Sequence, residues 1–389
     1  MATPRRTPPL RLALLVSLAL LALAAPALYL AGRGGDGPAS DPSGTGTGGS
    51  GEQLLVLAVF GPNVDEILVA PADDPSDRTA VARAEHAPGW GIHPAPEMAG
   101  ALAAYTVLPP DARPERDSPA ELWLLDVASG ERARLARDAD LLAAPVLARD
   151  GTVVVYRTSS GSEQSLVRVD VASRTRRVLY TASTPFGLFP VAVTPAGDLL
   201  FSQISGAGTG LHAVSLQGGE PRALLRASPH VARDWRLSPD GSALSYIAPV
   251  PLAERVVHRL HVATLAGGEA IRPASSAGVA ATEQYGPVWR PGGGAITVGR
   301  EAAASAATGA LTLTLDGSAG PTELAAPAAG FDVPLGWSPD GRTLAARSFD
   351  GRNSADPGME ELTLIDASGA RRAVRARSQV VFLGWWTDE

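Results

Sequence analysis

One short pattern recurs along most of this chain and limits how it can fold. An apolar residue is followed by a polar turn that closes on glycine, and an apolar strand comes next. The apolar positions lie 44 to 55 residues apart, at Ile92, Leu147, Val193, Leu237, Trp289 and Trp337. The glycine follows four residues later at Gly151, Gly197, Gly241, Gly293 and Gly341, whereas the first copy places Gly100 eight residues after Ile92. Such regular repetition predicts one structural unit used many times.

A second pair of strands follows each of these hairpins. Segments such as "LWLLDVASGERARL" and "LTLIDASGARRAV" have two apolar strands around a turn that contains Ser and Gly, residues that suit tight turns. Apolar runs such as "TVVVY" and "LLVLAVF" indicate sheets that are covered on both sides. Because one unit has too little apolar surface to fold alone, we expect the units to stack around an axis. The sequence predicts an all-β β-propeller of four-stranded blades.

Six complete units leave two fragments, one at each end of the repeats. Residues 54–60, 66–70 and 79–84 match the second, third and fourth strands of a unit, and residues 380–389 match a first strand. Trp386 lies 49 residues after Trp337, which makes it the expected counterpart of that residue. We therefore predict seven blades over residues 52–389, with the C-terminal strand completing the N-terminal blade and leaving no radial gap. The alternative is a six-bladed ring with both ends outside it.

The first 51 residues differ in composition from the repeats. Residues 1–11 are basic, and residues 12–31, "LALLVSLALLALAAPALYLA", are long enough to cross a bilayer as a helix. Residues 32–51 are rich in Gly, Ser and Thr and are typical of a flexible linker. Basic residues ahead of the apolar segment predict a short cytoplasmic segment and a propeller outside the cytoplasm, tethered as a single-pass protein of the cell membrane. The alternative is a signal peptide whose cleavage releases a secreted propeller.

Composition and charge exclude several classes of protein. The chain has no cysteine, so disulfides, thiolate metal sites and cysteine nucleophiles are excluded. Its net charge is −7, and no basic stripe is visible against this acidic background. We therefore expect no nucleic-acid partner.

Two S-P-D-G turns, at residues 238–241 and 338–341, carry a family resemblance. With the following apolar strand and a hairpin of the type LxLxDxxSG, they resemble the repeat of TolB-like, WD-type β-propellers over residues 53–389. The resemblance implies the propeller fold. It implies no single function, because this repeat is found in periplasmic scaffolds, in extracytoplasmic parts of anti-sigma factors and in the propellers of prolyl-oligopeptidase-like enzymes.

Motifs for catalysis or metal binding are weak. The sequence has no G-x-S-x-G nucleophile elbow, which argues against a peptidase. The S-P-D-G aspartates lack the spacing of a sialidase Asp box, so Asp340 is expected to form a turn. His258 and His261 fall on opposite faces of a predicted strand, and the carboxylates of residues 72–77 suit a solvated turn. The sequence assigns no catalytic residue, metal ion or cofactor.

Binding is expected on the face of the ring that carries the long loops. The segments that begin at Pro109, Pro249, Glu301 and Phe349 vary in length, while the glycine turns at the opposite face are short and uniform. Aromatic and charged side chains at the start of the inner strands are expected to surround the channel on the long-loop face, where they suit a peptide or a sugar. Packing between blades is the alternative role for each of them. These residues are Trp90, Phe186, Phe189, His230, Arg233, Asp234, Trp235, Glu283, Gln284, Tyr285, Phe331 and Asp332.

The sequence therefore predicts a non-catalytic binding or assembly module. Its expected partner is a protein, a peptide or a glycan, and its expected contact with the membrane is the N-terminal helix. The alternative function is a small-molecule hydrolase or lyase with a site in the central channel.

Overall fold

The computed structural model describes residues 51–115, 118–184, 186–252, 255–266, 270–271, 282–302, 306–316 and 319–388. The predicted cytoplasmic segment and anchor, and the predicted linker apart from Gly51, lie outside these residues. Strands and turns make up the described chain, and they form seven four-stranded antiparallel sheets around one axis. Across these ranges, none of the secondary structure is a helix of the length and hydrophobicity that a bilayer span requires.

The seven sheets are the predicted blades, each numbered here from its inner strand outward. Blades 2 to 4 are β4 (His93–Pro94), β5 (Leu102–Val107), β6 (Pro119–Asp126) and β7 (Arg132–Asp140); β8 (Val146–Leu147), β9 (Val153–Ser160), β10 (Glu163–Asp170) and β11 (Arg176–Ser183); and β12 (Leu188–Val193), β13 (Asp198–Ser205), β14 (Gly208–Ser215) and β15 (Arg222–Ser228). Blades 5 to 7 are β16 (Arg233–Leu237), β17 (Ala243–Pro251), β18 (Val256–Thr264) and β19 (Ala270–Ile271); β20 (Gln284–Trp289), β21 (Ala295–Arg300), β22 (Leu311–Thr314) and β23 (Thr322–Glu323); and β24 (Phe331–Trp337), β25 (Thr343–Phe349), β26 (Glu360–Asp366) and β27 (Arg371–Ala373).

Blade 1 closes the ring with strands from both ends of the chain. Its order is β28 (Val380–Asp388), β1 (Glu52–Val59), β2 (Val64–Pro71) and β3 (Thr79–Glu85). β28 and β1 are antiparallel from Glu52 opposite Asp388 to Val59 opposite Val380. The prediction of seven blades with a shared seventh blade is therefore confirmed, and the six-bladed alternative is wrong.

The tryptophan that corresponds to Trp337 is Trp385, one residue before the predicted Trp386. Trp385 lies opposite Leu55 and faces blade 7, as Trp337 lies opposite Leu344 and faces blade 6. Its Nε1 donates to the carbonyl of Gly336 at 3.0 Å. Trp386 instead packs on the side that faces blade 2. Blade lengths differ by several residues, so spacing alone does not resolve a difference of one.

The hydrophobic core lies between neighbouring blades. Val155 and Leu166 of blade 3 pack with Leu199 and Phe201 of blade 4 in one such cluster, and all four side chains are buried. Blades 5 and 6 and blades 7 and 1 share similar clusters. Burial on both faces explains the near-continuous apolar runs of the strands, since each blade is covered by two neighbours.

The S-P-D-G turns are structural, as predicted. The Ser338 hydroxyl donates to Asp340 Oδ1 at 2.6 Å, and the same oxygen accepts the Arg342 amide at 3.0 Å. The turn then closes at Gly341, which has a φ of 69°, a left-handed conformation that glycine adopts without steric cost. The aspartate therefore holds the turn through local hydrogen bonds.

The strand directions give the ring two different faces. We call the end with the turns between the first and second strands the turn face. The opposite end, where the inner strands begin, is the loop face; it also carries the loops between the second and third strands. The Glu52 end of β1 pairs with the Asp388 end of β28, so both chain ends of the described propeller leave from the turn face.

Candidate functional site

Loops of blades 5, 6 and 7 are joined to one another on the loop face. The Arg255 guanidinium pairs with the Glu301 carboxylate at 3.2 Å, which links blade 5 to blade 6. The Ala302 amide donates to the Arg352 carbonyl at 3.0 Å, which links blade 6 to blade 7. We call this feature the loop ridge, defined as residues 250–252, 255–256, 301–302 and 350–359. Its hydrogen bonds make it one continuous surface across three blades.

Exposed apolar side chains are concentrated on this face. The described residues include five large apolar side chains that are exposed: Leu142, Val178, Leu252, Val256 and Met359. Leu252, Val256 and Met359 belong to the loop ridge, and Met359 is 77% exposed. Leu142 lies on the same face, in the connection between blades 2 and 3. Val178 lies on the outermost strand of blade 3, away from the loop ridge. Apolar groups gathered on one face are typical of an interaction surface.

Arg149 crosses part of the central channel near the turn face. It follows β8 in blade 3, and its guanidinium donates to the carbonyls of Leu237, Ser238 and Pro239 in blade 5 at 2.6–3.0 Å. Its Nε lies 3.5 Å from Glu97 of blade 2. The cavity beside Arg149, between the inner strands of blades 3, 4 and 5, has a volume of about 20 Å³. That volume holds about one water molecule.

Eight of the predicted channel-rim residues are partly or fully exposed on the loop face. They are Trp90, Phe186, Phe189, His230, Arg233, Asp234, Trp235 and Glu283, and His230 is the most open of them. These remain predictions as ligand contacts. Gln284, Tyr285, Phe331 and Asp332 are buried, with 0–5% of each residue exposed. Their burial is consistent with the alternative role of packing between blades.

Glu283 and Gln284, where the inner strand of blade 6 begins, accept backbone hydrogen bonds from blade 5. Glu283 Oε2 accepts the His258 amide at 2.7 Å, and Gln284 Oε1 accepts the Leu260 amide at 2.7 Å. Both amides belong to β18, at positions beyond its two ladder pairs with β19. These side chains therefore supply hydrogen bonds that a longer outer strand would make. Glu283 also contacts the ring of His258, from its Oε1 to Nδ1.

Asp332 is the centre of a buried polar group in blade 7. Arg371 donates to both of its carboxylate oxygens, at 2.7 and 2.9 Å, and the Ser348 hydroxyl donates at 2.6 Å. Next to it, the ring of Phe331 lies 5.3 Å from that of Tyr285 and 5.2 Å from that of Phe349. Burial raises the pKa of Tyr285 to about 12, so its phenol stays protonated at neutral pH. This region packs blades 6 and 7 together.

Arg233, Asp234 and Trp235 form the start of β16 in blade 5. The Arg233 guanidinium pairs with the adjacent Asp234 carboxylate at 2.8 Å, and Asp234 has a φ of 57°. The ring of Trp235 stacks on Tyr246 at 4.6 Å, and Tyr246 stacks on His261 at 5.2 Å. Burial raises the pKa of Tyr246 to about 12. Trp235 is thus held by packing, is partly exposed, and lines the cavity beside Arg149.

Phe189 covers a buried ion pair between blades 2 and 3. The Arg157 guanidinium lies 2.8 Å from the Asp140 carboxylate and 4.6 Å from the centre of the Phe189 ring. Arg157 also donates to the Leu188 carbonyl at 2.9 Å. His93 lies beside this pair, and its burial lowers its pKa. The charged groups here connect three blades at the loop face.

The described histidine and carboxylate side chains provide no group of three or more that is placed to hold a metal ion. His258 and His261 point to opposite sides of β18, as predicted, since one contacts Glu283 and the other stacks on Tyr246.

Sequence reasoning missed Arg149 and the loop ridge. Arg149 reaches carbonyls 88 to 90 residues away in the sequence, and no local pattern marks such a contact. Leu252 and Met359 lie in segments that were predicted as binding loops by length, and Val256 directly follows one of them, but their exposure depends on how the loops pack. The sequence signal for them is an apolar residue within a loop that is otherwise polar and contains glycine or proline.

Comparisons with known proteins support the fold. No family model matches the sequence, and no curated protein matches it. Among solved structures, the chain is similar to the acylaminoacyl peptidase of Pyrococcus horikoshii, with 11% identity and a TM-score of 0.53 over 84% of this chain and 51% of the peptidase. It is also similar to an oligogalacturonate lyase in complex with manganese, with 15% identity and a TM-score of 0.52 over 83% of this chain and 85% of the lyase.

TolB from Acinetobacter baumannii is a further similar structure. The identity is 13% and the TM-score is 0.48, over 86% of this chain and 66% of TolB. The chain thus spans about half the length of the peptidase and about two thirds of TolB. The peptidase and lyase similarities, together with the strand order of the seven blades, establish a seven-bladed β-propeller.

Proposed function

We propose that this protein is a membrane-tethered, extracytoplasmic propeller that binds a protein partner through its loop ridge. The observation that carries the proposal is the exposure of Leu252 and Val256 on blade 5 and of Met359 on blade 7, on loops that are both bonded to the loop of blade 6 between them. Apolar side chains exposed in water gain free energy when a partner covers them. A rigid ring that presents such loops is a common arrangement for a binding surface.

The position of the chain ends supports this orientation. Residue Glu52 leaves the ring at the turn face, and the loop ridge lies at the opposite face. If residues 12–31 anchor the chain, the linker attaches to the side of the ring away from the loop ridge. A partner could then reach the loop ridge without competing with the tether.

A cross-linking experiment with the full-length protein tests this proposal. Membranes that contain the wild-type chain are treated with a cross-linker, and the captured proteins are compared with those from a variant carrying Leu252→Ser, Val256→Ser and Met359→Ser. The control is Val178→Ser, because Val178 is exposed to 56%, close to the 58% of Val256, but lies outside the loop ridge. We expect one or more partners to be lost with the triple variant and kept with the control. Equal capture by all three proteins would overturn the proposal.

The alternative of a hydrolase or lyase requires a channel that admits a substrate. The cavity beside Arg149, of about 20 Å³, has room for about one water molecule, so a substrate would have to bind elsewhere in the channel.

A further inference from the structure

A second cavity lies on the loop face at the outer part of blade 2. It is open to solvent, has a volume of about 430 Å³, and is formed by residues 109–113 and 118 together with β6 and β7. A cavity of this volume lies in the range of small-molecule sites. Its lining residues are Pro109, Asp111, Ala112, Arg113, Ser118, Pro119, Glu121 and Arg137.

A β-bulge places Arg137 at this cavity. Ala120 lies opposite Ala139 and Leu122 lies opposite Ala136, so two residues of β7 face the single residue Glu121. Arg137 is one of these two, and its side chain is exposed. Bulges commonly redirect a side chain next to a functional site.

Two acidic residues at or next to the cavity already pair with arginines that do not line it. Glu121 pairs with Arg134 and accepts the indole N–H of Trp123 at 3.0 Å. Asp138, the other bulge residue, pairs with Arg176 and accepts the Tyr156 hydroxyl at 2.9 Å. Among the described acidic residues that line the cavity, Asp111 is therefore the one left beside the two arginines, a net charge of +1.

Within the part of the chain that the structure describes, neither Arg113 nor Arg137 forms an ion pair with a carboxylate. Two guanidinium groups that line one cavity favour an anion with planar or tetrahedral oxygens. Asp111 is an exposed carboxylate on the same cavity and can accept a hydrogen bond from a ligand that carries a donor. Pro109 and Pro119 supply apolar walls for its carbon atoms.

We propose that this cavity binds a small acid that carries a carboxylate or phosphate group next to a hydroxyl or amino group. Arg113 and Arg137 bind the anionic group, and Asp111 accepts from the donor. This site is separate from the loop ridge and does not depend on the function proposed for it.

Calorimetric titration of the full-length protein in detergent tests the site. The probes are malate, which carries a hydroxyl beside a carboxylate, inorganic phosphate, and malamide as the neutral analogue of malate. We expect saturable binding of at least one anion and none of malamide. Affinity should fall about 10- to 100-fold in Arg113→Gln and in Arg137→Gln, since each removes charged hydrogen bonds.

Two further variants separate recognition from a general effect of charge. Arg177→Gln removes an exposed arginine of β11 outside the cavity and should leave the affinity unchanged. Arg137→Lys should bind more tightly than Arg137→Gln but less tightly than wild type, because it keeps the charge without the planar fork. Absence of saturable anion binding, equal binding of malamide, or an equal loss in Arg177→Gln would overturn the proposal.

Discussion

Asp65 and His86 form a buried ion pair where blade 1 meets blade 2. His86 Nε2 lies 3.0 Å from Asp65 Oδ1, and His86 Nδ1 lies 2.9 Å from the Ala87 carbonyl. The Asp65 carboxylate also accepts the amides of Gly61 and Ile92, at 3.1 and 2.8 Å. Both ring nitrogens of His86 thus face acceptors, an arrangement that favours the imidazolium form.

This pair predicts a pH-dependent stability. Burial lowers the pKa of His86, but hydrogen bonds with Asp65 and Ala87 and the charge of Asp65 outweigh it and raise the pKa above its ordinary value of 6.5. A raised pKa in the folded state means that the stabilisation is complete below pH 6.5 and is lost as pH rises through the folded-state pKa. His86→Gln should lower Tm by about 5 °C at about pH 6. That difference should shrink toward about pH 9, measured by thermal unfolding.

The exposed His230 provides the control. His230→Gln should leave Tm unchanged over the same pH range, because its ring is open to solvent. A deficit for His86→Gln that stays constant or grows with pH would contradict the ionised pair.

Arg149 gives a second prediction for a single residue. Arg149→Ala removes three hydrogen bonds to carbonyls across the channel and should lower the free energy of unfolding by about 1–3 kcal/mol. Arg342→Ala, whose side chain is 84% exposed, should change it by less than about 0.5 kcal/mol. Denaturant unfolding of both variants checks this. Equal stability of the two variants would show that Arg149 does not brace the channel.

At the level of the element, β28 is the strand on which ring closure depends. It pairs with β1 along residues Glu52–Val59, and its Trp385 and Phe382 pack against blade 7. Their rings meet edge to face at 6.0 Å. The other six blades are each built from one continuous stretch of chain.

Deletion of residues 380–389 should therefore destabilise the domain strongly. The deletion uncovers the edge of β1 and removes the apolar contacts of β28, so Tm should fall by more than about 10 °C. Trp385→Ala should reproduce part of this effect, about 2–4 kcal/mol, as its side chain is partly exposed. An unchanged Tm after the deletion would mean that β28 contributes nothing to closure.

On the scale of the whole molecule, ring closure gives every blade a neighbour on both sides. Each sheet packs on two neighbours, and apolar clusters are shared between adjoining blades. An open array of repeats has end units with one uncovered face, and such arrays lose cooperativity when their interfaces weaken.

The closed ring should unfold in one transition. Tryptophans in blades 1, 2, 5, 6 and 7 report on much of the ring, so fluorescence and far-ultraviolet circular dichroism should give the same midpoint. The chain without residues 380–389 should show a broader or divided transition. Two separate transitions in the intact protein would show that the blades unfold as independent groups.

The sequence alone determined the repeating unit, the number of blades and the partner strand for β1. These follow from local periodicity and turn chemistry, because alternating apolar positions and glycine turns are set by neighbouring residues. It also determined that Asp340 forms a turn, since the groups that bond to it lie within two residues.

Only the tertiary structure decided which side chains are available for binding. Glu283, Gln284 and Asp332 have polar side chains that suit a binding site, but these side chains already form hydrogen bonds with neighbouring strands. Arg149 and Arg137 carry the same guanidinium group. Arg149 donates to carbonyls of blade 5, whereas a β-bulge places Arg137 at the wall of a cavity. The identity of a residue sets what it can bind, whereas its partners in space are set by strand pairing and blade packing, which bring together residues 16 to 90 positions apart in the sequence.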